Sequence, residues 1–426
     1  MMERQEALEL RREYFMPCVQ YFYKDPPLFV RGDMQYLYDE RGKKYLDFFA
    51  GVSVMNCGHS NPFITERVAA QLGRLQHLTN VYLTEPVLRL AARLAQVLPG
   101  GPASALSGAA SRERPGLSNS FFCNSGSEAN EGALLLARLV TGKRKFIALN
   151  TGLHGRTYLA MAVTGIPMWR TDPFLPGDFY FAGSAEEVIA ALEKDGDIAA
   201  LICEPVQGNG GVRPLPPDFF EKTAGALKSR GALLIVDEVQ TGFARTGRMF
   251  AVEHYGVIPD IMTMSKALGN GIPIAAFASS RELALRFTRP SASTLGGNPV
   301  SASAALAVLD YIEKEDLCAR AGELGAYLRS RLDSLASLFP VIREVRGKGL
   351  MLGAEIAPDR NSPAGDDAPG AALTDRILEE LKERGIILGK NGLGRNVLAF
   401  QPPLVINRGD IDFLIENLEE VLRRIL

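Results

Sequence analysis

The sequence predicts an α/β protein: a large unit with a mostly parallel central sheet flanked by helices, and a small α+β unit formed by both chain ends. Short, uninterrupted apolar runs recur through the middle of the chain, at 121–123, 145–149, 198–203, 233–236 and 261–264. Helical stretches or Gly-rich turns follow them, and runs this continuous mark strands buried on both faces. A different texture holds at 28–49, where aromatics and aliphatics sit among turn residues such as Arg31-Gly32-Asp33 and Glu40-Arg41-Gly42. That pattern reads as a small β meander.

The elements follow in order. Residues 1–15 read as a short charged helix, and 63–75 and 85–97 as two more. The stretch 99–120 is rich in Gly, Ser, Ala and Pro and is expected to be an exposed loop. Good helix formers with an acidic first turn predict a helix over 128–140. Later in the chain, helical patterns flank a strand-like segment at 343–356, and 404–406 reads as another strand. Residues 361–370 form a polar insertion. The texture changes near 300–310. The expected units are therefore a large one of 62–305 and a small one in which 1–61 packs with 306–426.

Composition narrows the function classes. The chain has 426 residues, enough for a core without staples. With 47 Lys and Arg against 49 Asp and Glu, no charge field calls for nucleic acid or an anionic membrane. The five cysteines are scattered with no C-x-x-C, so neither a disulfide framework nor a zinc ribbon is expected. No apolar leader opens the sequence and no run approaches the roughly 18 apolar residues of a membrane span. A soluble cytoplasmic enzyme is the expectation. The histidines, His59, His77, His154 and His254, lack H-E-x-x-H spacing and have no Cys neighbours at metal spacing, so no metal is assigned.

Four segments carry chemistry. Asn124-Ser125-Gly126-Ser127-Glu128 follows an apolar run and opens a helix. Unpaired N–H groups and the helix dipole there suit a phosphate, although Ser125 or Ser127 could simply cap the helix. Asp237 ends the apolar run 233–236, where open α/β sheets bind ligands. Buried there it needs a cationic partner, such as a protonated pyridine nitrogen; the alternative is an Asp capping the next turn. Lys266 stands between the run 261–264 and the Gly-rich turn Gly269-Asn270-Gly271. Desolvation would make it a usable amine nucleophile, whereas a Lys snorkelling to the surface would do nothing. Thr294 lies in a turn-rich segment and could donate to a phosphate. Neither G-x-G-x-x-G nor a P-loop pattern accompanies these segments, which weighs against a dinucleotide or nucleotide enzyme.

Together, segments 124–131, 204–211, 237–247, 266–273, 294–299 and 346–353 resemble the class III (omega) aminotransferases, fold type I pyridoxal-phosphate enzymes. The look is nearest the alanine–glyoxylate and 4-aminobutyrate branches. The resemblance implies pyridoxal 5'-phosphate as cofactor and a Schiff base on Lys266, which also moves the substrate proton. It implies that Asp237 keeps the pyridine nitrogen protonated and that Gly126 and Ser127 cup the phosphate. Val239 and Leu153 would cover the ring faces, with His154 beside the ring, Gln240 near its hydroxyl and Glu204 behind. Thr294 would reach the phosphate of a second subunit, implying a homodimer with shared sites. Arg245-Thr246-Gly247 and the segment opening at Arg346 match structural motifs without assigned chemistry.

The departures bear on substrate. Leu153 replaces an aromatic that many members stack on the ring. Asn209 and Ala399 stand where members using 2-oxoglutarate carry a Glu and an Arg, and losing both together leaves no unpaired charge. That favours a small acceptor such as pyruvate or glyoxylate, exchanged with an amine or amino acid. Arg156, Arg170 and the nearby Arg395 are the remaining cations considered. An amino-acid racemase, epimerase or aminomutase on the same fold would also suit the missing pair, since it needs no acceptor.

Overall fold

A computed structural model of the chain describes residues 2–107, 115–177, 179–358 and 368–426. Its centre is a seven-stranded sheet in the order β4-β12-β11-β10-β7-β5-β6. The strands are β4 (Asn119–Cys123), β5 (Lys145–Leu149), β6 (Tyr180–Ala182), β7 (Ile198–Cys203), β10 (Leu233–Asp237), β11 (Ile261–Met264) and β12 (Ala275–Ser279). Four pairings are parallel, and only those of β12 with β11 and β4 are antiparallel. Every residue of β7 is buried, as a strand covered by helices on both faces requires. The sheet is α/β as expected. It contains two strands that the apolar runs did not mark, β6 and β12.

The chain ends meet in a second sheet, order β1-β2-β3-β15. Here β1 (Phe29–Asp33), β2 (Tyr36–Asp39) and β3 (Lys44–Asp47) form the expected meander, and β15 (Ile386–Ile387) joins β3 in parallel. Residues 300–310 lie inside one helix, Pro299–Lys314, which packs on the helices Pro62–Leu72 and Glu85–Val97.

Several expected elements differ. The segment 343–356 is a hairpin of β13 (Ile342–Lys348) and β14 (Met351–Ile356). Gly349 turns it at φ +54°, and a Cβ there would lie 2.4 Å from the Thr246 carbonyl carbon. Residues 404–406 are not a strand. The strand is β17 (Val397–Phe400), paired with β14 and with β16 (Gly389–Asn391), and Pro402-Pro403 ends it by removing two N–H donors. Residues 119 and 120 belong to β4 rather than to the preceding loop; 108–114 of that loop lie outside the described residues. Of the insertion 361–370, residues 361–367 also lie outside, and 368–370 open the helix Ala368–Glu383. No helix among the described residues is long and apolar enough to cross a membrane.

Phe400 on β17 is fully buried and belongs to the continuous core. Phe400→Ala is expected to cost about 3–5 kcal/mol by loss of transfer energy plus a residual cavity. A guanidinium melt of the folded variant measures it.

Candidate active site

The strands β4, β5, β7, β10 and β11 all run the same way, so their C-terminal ends share one edge of the sheet. The loops leaving that edge enclose a cavity of about 190 Å³ lined by Gly126, Ser127, Asn130, Leu153, His154, Gly155, Glu204, Asn209, Asp237, Val239, Gln240, Ser265 and Lys266. Open α/β sheets bind ligands at this edge. Nine of the ten residues singled out from the sequence lie on this one cavity. Thr294 does not: it is exposed on the turn before the helix Pro299–Lys314.

Each side chain is placed by a local device. Ser125 caps the helix Gly126–Thr141, accepting from the Glu128 N–H, and Gly126 and Ser127, whose first-turn N–H groups have no partner within the helix, line the cavity. Glu131 of that helix accepts from the Thr157 hydroxyl and from the N–H groups of Leu159 and Ala160. These bonds hold the segment carrying Leu153, His154 and Gly155 against the helix start. The approach is close. A Cβ on Gly126 would lie 2.8 Å from Val239, and one on Gly155 2.5 Å from the Ser127 hydroxyl.

Asp237 ends β10 and is buried. Its Oδ2 lies 2.8 Å from His154 Nδ1 and accepts from Asn130 Nδ2 at 2.8 Å, while Oδ1 accepts from the Val239 N–H at 3.0 Å. Burial alone would raise its carboxyl, but these donors and the His154 imidazole outweigh burial and hold it below the usual range. The site thus keeps an ionised carboxylate at its base. Asn130, which ties Asp237 to the His154 carbonyl at 2.6 Å, was not singled out from the sequence. It lies one helical turn beyond Gly126 and Ser127, and that spacing was the available signal.

Lys266 follows β11 with φ +48°, a left-handed conformation uncommon for a residue with a Cβ. The turn after it is fixed from outside. Asn270 accepts from the Cys57 N–H and donates to the Gly58 carbonyl, both at 2.9 Å. Burial pulls the Lys266 ammonium pKa down, and Asp237 and Glu204 partly oppose it.

Two further carboxylates sit close by. Glu204 accepts from the N–H groups of Leu153 at 2.9 Å and Gly208 at 3.1 Å, so it braces two loops of the site; burial pushes its carboxyl up to about 7. Glu238 accepts from the Ala251 and Val252 N–H groups and from the Thr241 hydroxyl. Burial also pushes Glu238 up, from 4.5 to about 7. Between those pH values the folded chain therefore holds a proton the unfolded chain has lost, and stability falls as pH rises through that window. Glu238→Gln is expected to flatten this fall, which melts recorded across that pH range would show.

The residues fit a planar phosphorylated ring. Gln240 Oε1 and His154 Nε2 are buried on the cavity wall without partners. The former suits a ring hydroxyl and the latter a polar edge. The cradle of Gly126 and Gly155 admits a group that a side chain would exclude. The cations considered from the sequence are elsewhere. Arg170 donates to the Ala162 and Thr164 carbonyls, Arg395 lies over the Phe22 ring, and Arg156 is exposed. Ala399 is fully buried in β17, opposite Gly353 and Gly389.

Comparison with known proteins places the chain in a family. Residues 23–422 match the family model of aminotransferase class-III. The chain is 40% identical over 429 residues to alanine–glyoxylate aminotransferase 2 homolog 2, mitochondrial, of Arabidopsis thaliana, covering 97% of this chain and 86% of that one. It is 36% identical over 433 residues to an acetylornithine aminotransferase of Methanocaldococcus jannaschii, covering 100% of both. The structure superposes on a crystal structure of a Bacillus anthracis aminotransferase with a TM-score of 0.88, at 30% identity and 100% coverage of both chains. A family model matched from residue 23 to 422, whole-length relatives and a superposing fold make the chain a member of the class III aminotransferases, enzymes that use pyridoxal phosphate to transfer amino groups.

Proposed function

We propose that this enzyme moves an amino group from an amine or amino acid to a small keto acid, pyruvate or glyoxylate, with Lys266 and Asp237 as its catalytic pair. The observation that carries this reading is their placement on one cavity that Gly126 and Ser127, the first residues of the helix Gly126–Thr141, also line. When bound, pyridoxal phosphate supplies an aldehyde that takes the amino group and a ring that withdraws electrons from the reacting carbon.

The chain's own residues do the rest. Lys266 would hold the cofactor covalently and then carry the proton, and burial, which lowers its pKa, frees the amine lone pair for both tasks. Asp237 stays ionised and would face a protonated ring nitrogen. The Gly126 and Ser127 N–H groups would bind the phosphate. Val239 and Leu153 would cover the ring with aliphatic contact, and the Gln240 oxygen would accept from the ring hydroxyl. His154 and Asn130 orient Asp237. Thr294, exposed in one chain, serves the phosphate of a second, so the working unit is a homodimer.

The acceptor reading rests on Asn209 and Ala399. Neither carries charge, and Ala399 is sealed between two glycine-bearing strands. No guanidinium therefore stands there to hold a second carboxylate. A half-reaction screen tests the whole reading. The pyridoxal form is titrated with amines and amino acids, and the pyridoxamine form with pyruvate, glyoxylate and 2-oxoglutarate. Faster turnover with the first two acceptors is the expected result. Inversion of a chiral amino acid with no keto acid and no pyridoxamine build-up would instead establish a racemase or epimerase.

A further inference from the structure

Gln401 is not one of the residues lining the active-site cavity, yet its side chain reaches one that is. It follows β17, is fully buried, and is held on both sides. Its N–H donates to the Phe48 carbonyl at 2.8 Å, and the next carbonyl, of Pro402, accepts from buried Arg245 at 2.6 Å. Gln401 Oε1 accepts from Gln240 Nε2 and from the Ser53 hydroxyl, each at 3.1 Å. Ser53 and Gln240 are buried as well. Three segments far apart in sequence thus meet on one interior oxygen.

Ser53 gets there through a strained turn. Ala50, Gly51, Val52 and Ser53 have φ of +50°, +60°, +69° and +59°, four left-handed residues in succession. Residues with a Cβ seldom adopt that conformation, β-branched Val52 least of all. Asp47 holds the start of the turn, its Oδ1 accepting from the Phe49 and Ala50 N–H groups at 2.8 and 2.9 Å. The Ser53 hydroxyl fastens its end to Gln401. Such strain persists where the surroundings over-determine it, and it collects at functional sites. On the other side of Gln401, Gly208 leaves the space that the Gln240 amide fills: a Cβ there would lie 1.8 Å from Gln240 Oε1.

We propose that Gln401 is a positioning residue for the cofactor: it takes up the Gln240 NH2 group, so that the oxygen of that amide is the end left for the ring hydroxyl, and Ser53 holds Gln401 in place. The two ends of a glutamine amide have nearly the same shape, and a half-turn exchanges donor for acceptor. The bond from Gln240 Nε2 to Gln401 is what tells them apart here. Gln401 thereby ties the cofactor contact to the strained turn after β3, joining the small unit to the large one. The proposal rests on the reading above that Gln240 meets the ring hydroxyl.

Two readouts test this without turnover: the visible absorbance band of the holoenzyme and its dissociation constant for pyridoxal phosphate by equilibrium dialysis. Gln401→Leu is expected to shift the band and to weaken cofactor binding about five- to tenfold, as loss of one buried hydrogen bond does. Gln401→Glu keeps an acceptor for both partners and is expected to restore both readings. In a Gln240→Leu background, Gln401→Leu should add no further change, because its effect passes through Gln240. A native band and affinity in Gln401→Leu, or the same loss with and without Gln240, overturns the proposal. Where the Gln401 variants do not fold, Ser53→Ala is read instead: a smaller change in the same direction is expected, and native values overturn the proposal. Native values in Gln240→Leu itself remove the reading of Gln240 at the ring hydroxyl. Native values in Gln401→Leu beside an altered Gln240→Leu remove the role of Gln401 alone.

Discussion

Lys266→Ala is expected to lower kcat by about 10⁴-fold, the upper range for removing a positioned proton carrier. The effect is expected to be large because the proposed function gives one amine two tasks, anchor and base, and among the described residues lining the cavity Lys266 is the one amine. Asp237 and Glu204 are the nearby ionisable groups that act on it, and both are carboxylates braced by backbone N–H groups. Fold should be retained, since the turn after Lys266 is held by the Asn270 side chain rather than by the lysine. Single-turnover kinetics with a saturating amine measure the loss. A small amine added to the alanine variant should restore part of the rate without restoring the covalent link, which mass spectrometry of the borohydride-treated protein reads. An alanine variant with near-native turnover would remove Lys266 from the mechanism.

The second large effect is at Asp237, on the same cavity. Asp237→Asn preserves volume but removes the charge, and kcat is expected to fall by about 10²–10³-fold, as for loss of one preorganised electrostatic group. Amine affinity should change less, because the carboxylate acts on the ring electronics rather than on the substrate. The variant also sets two amide groups against each other, since Asn130 donates to Asp237 Oδ2. Asn130→Asp in the same chain restores a negative charge within reach of the same position. Partial recovery in the double variant would show that charge, not hydrogen-bond geometry alone, is what Asp237 contributes. Equal kcat in native protein and Asp237→Asn would sink the role.

Much of this was legible in the sequence because the strands of the central sheet are long in aliphatic residues. Residues 198–203 and 233–237 cannot be read as anything half-exposed, and both are buried strands. Strand β12 was not legible. Its sequence, Ala-Ala-Phe-Ala-Ser, carries small residues with no β-branched signal, and it forms only because β4 and β11 leave a gap that side chains of that size fill. The hairpin of β13 and β14 read as one strand for a related reason: its turn is a left-handed Gly349 packed on Thr246, a contact 103 positions away in sequence that no local pattern announces.

The sequence by itself determined the class of fold, the family and the positions of Lys266, Asp237 and the turn of Gly126 and Ser127 that meet at one cavity. Those depend on local order: an apolar strand, then a chemical residue, then a glycine turn. Tertiary structure alone decided what surrounds them. It set Asn130 and His154 on the Asp237 carboxylate, braced the loops with Glu204, and left Thr294 exposed away from its own cavity. These arrangements join residues from separate strands and loops, and the energy of a buried charge depends on which groups lie within a few ångströms, which spacing along the chain does not fix.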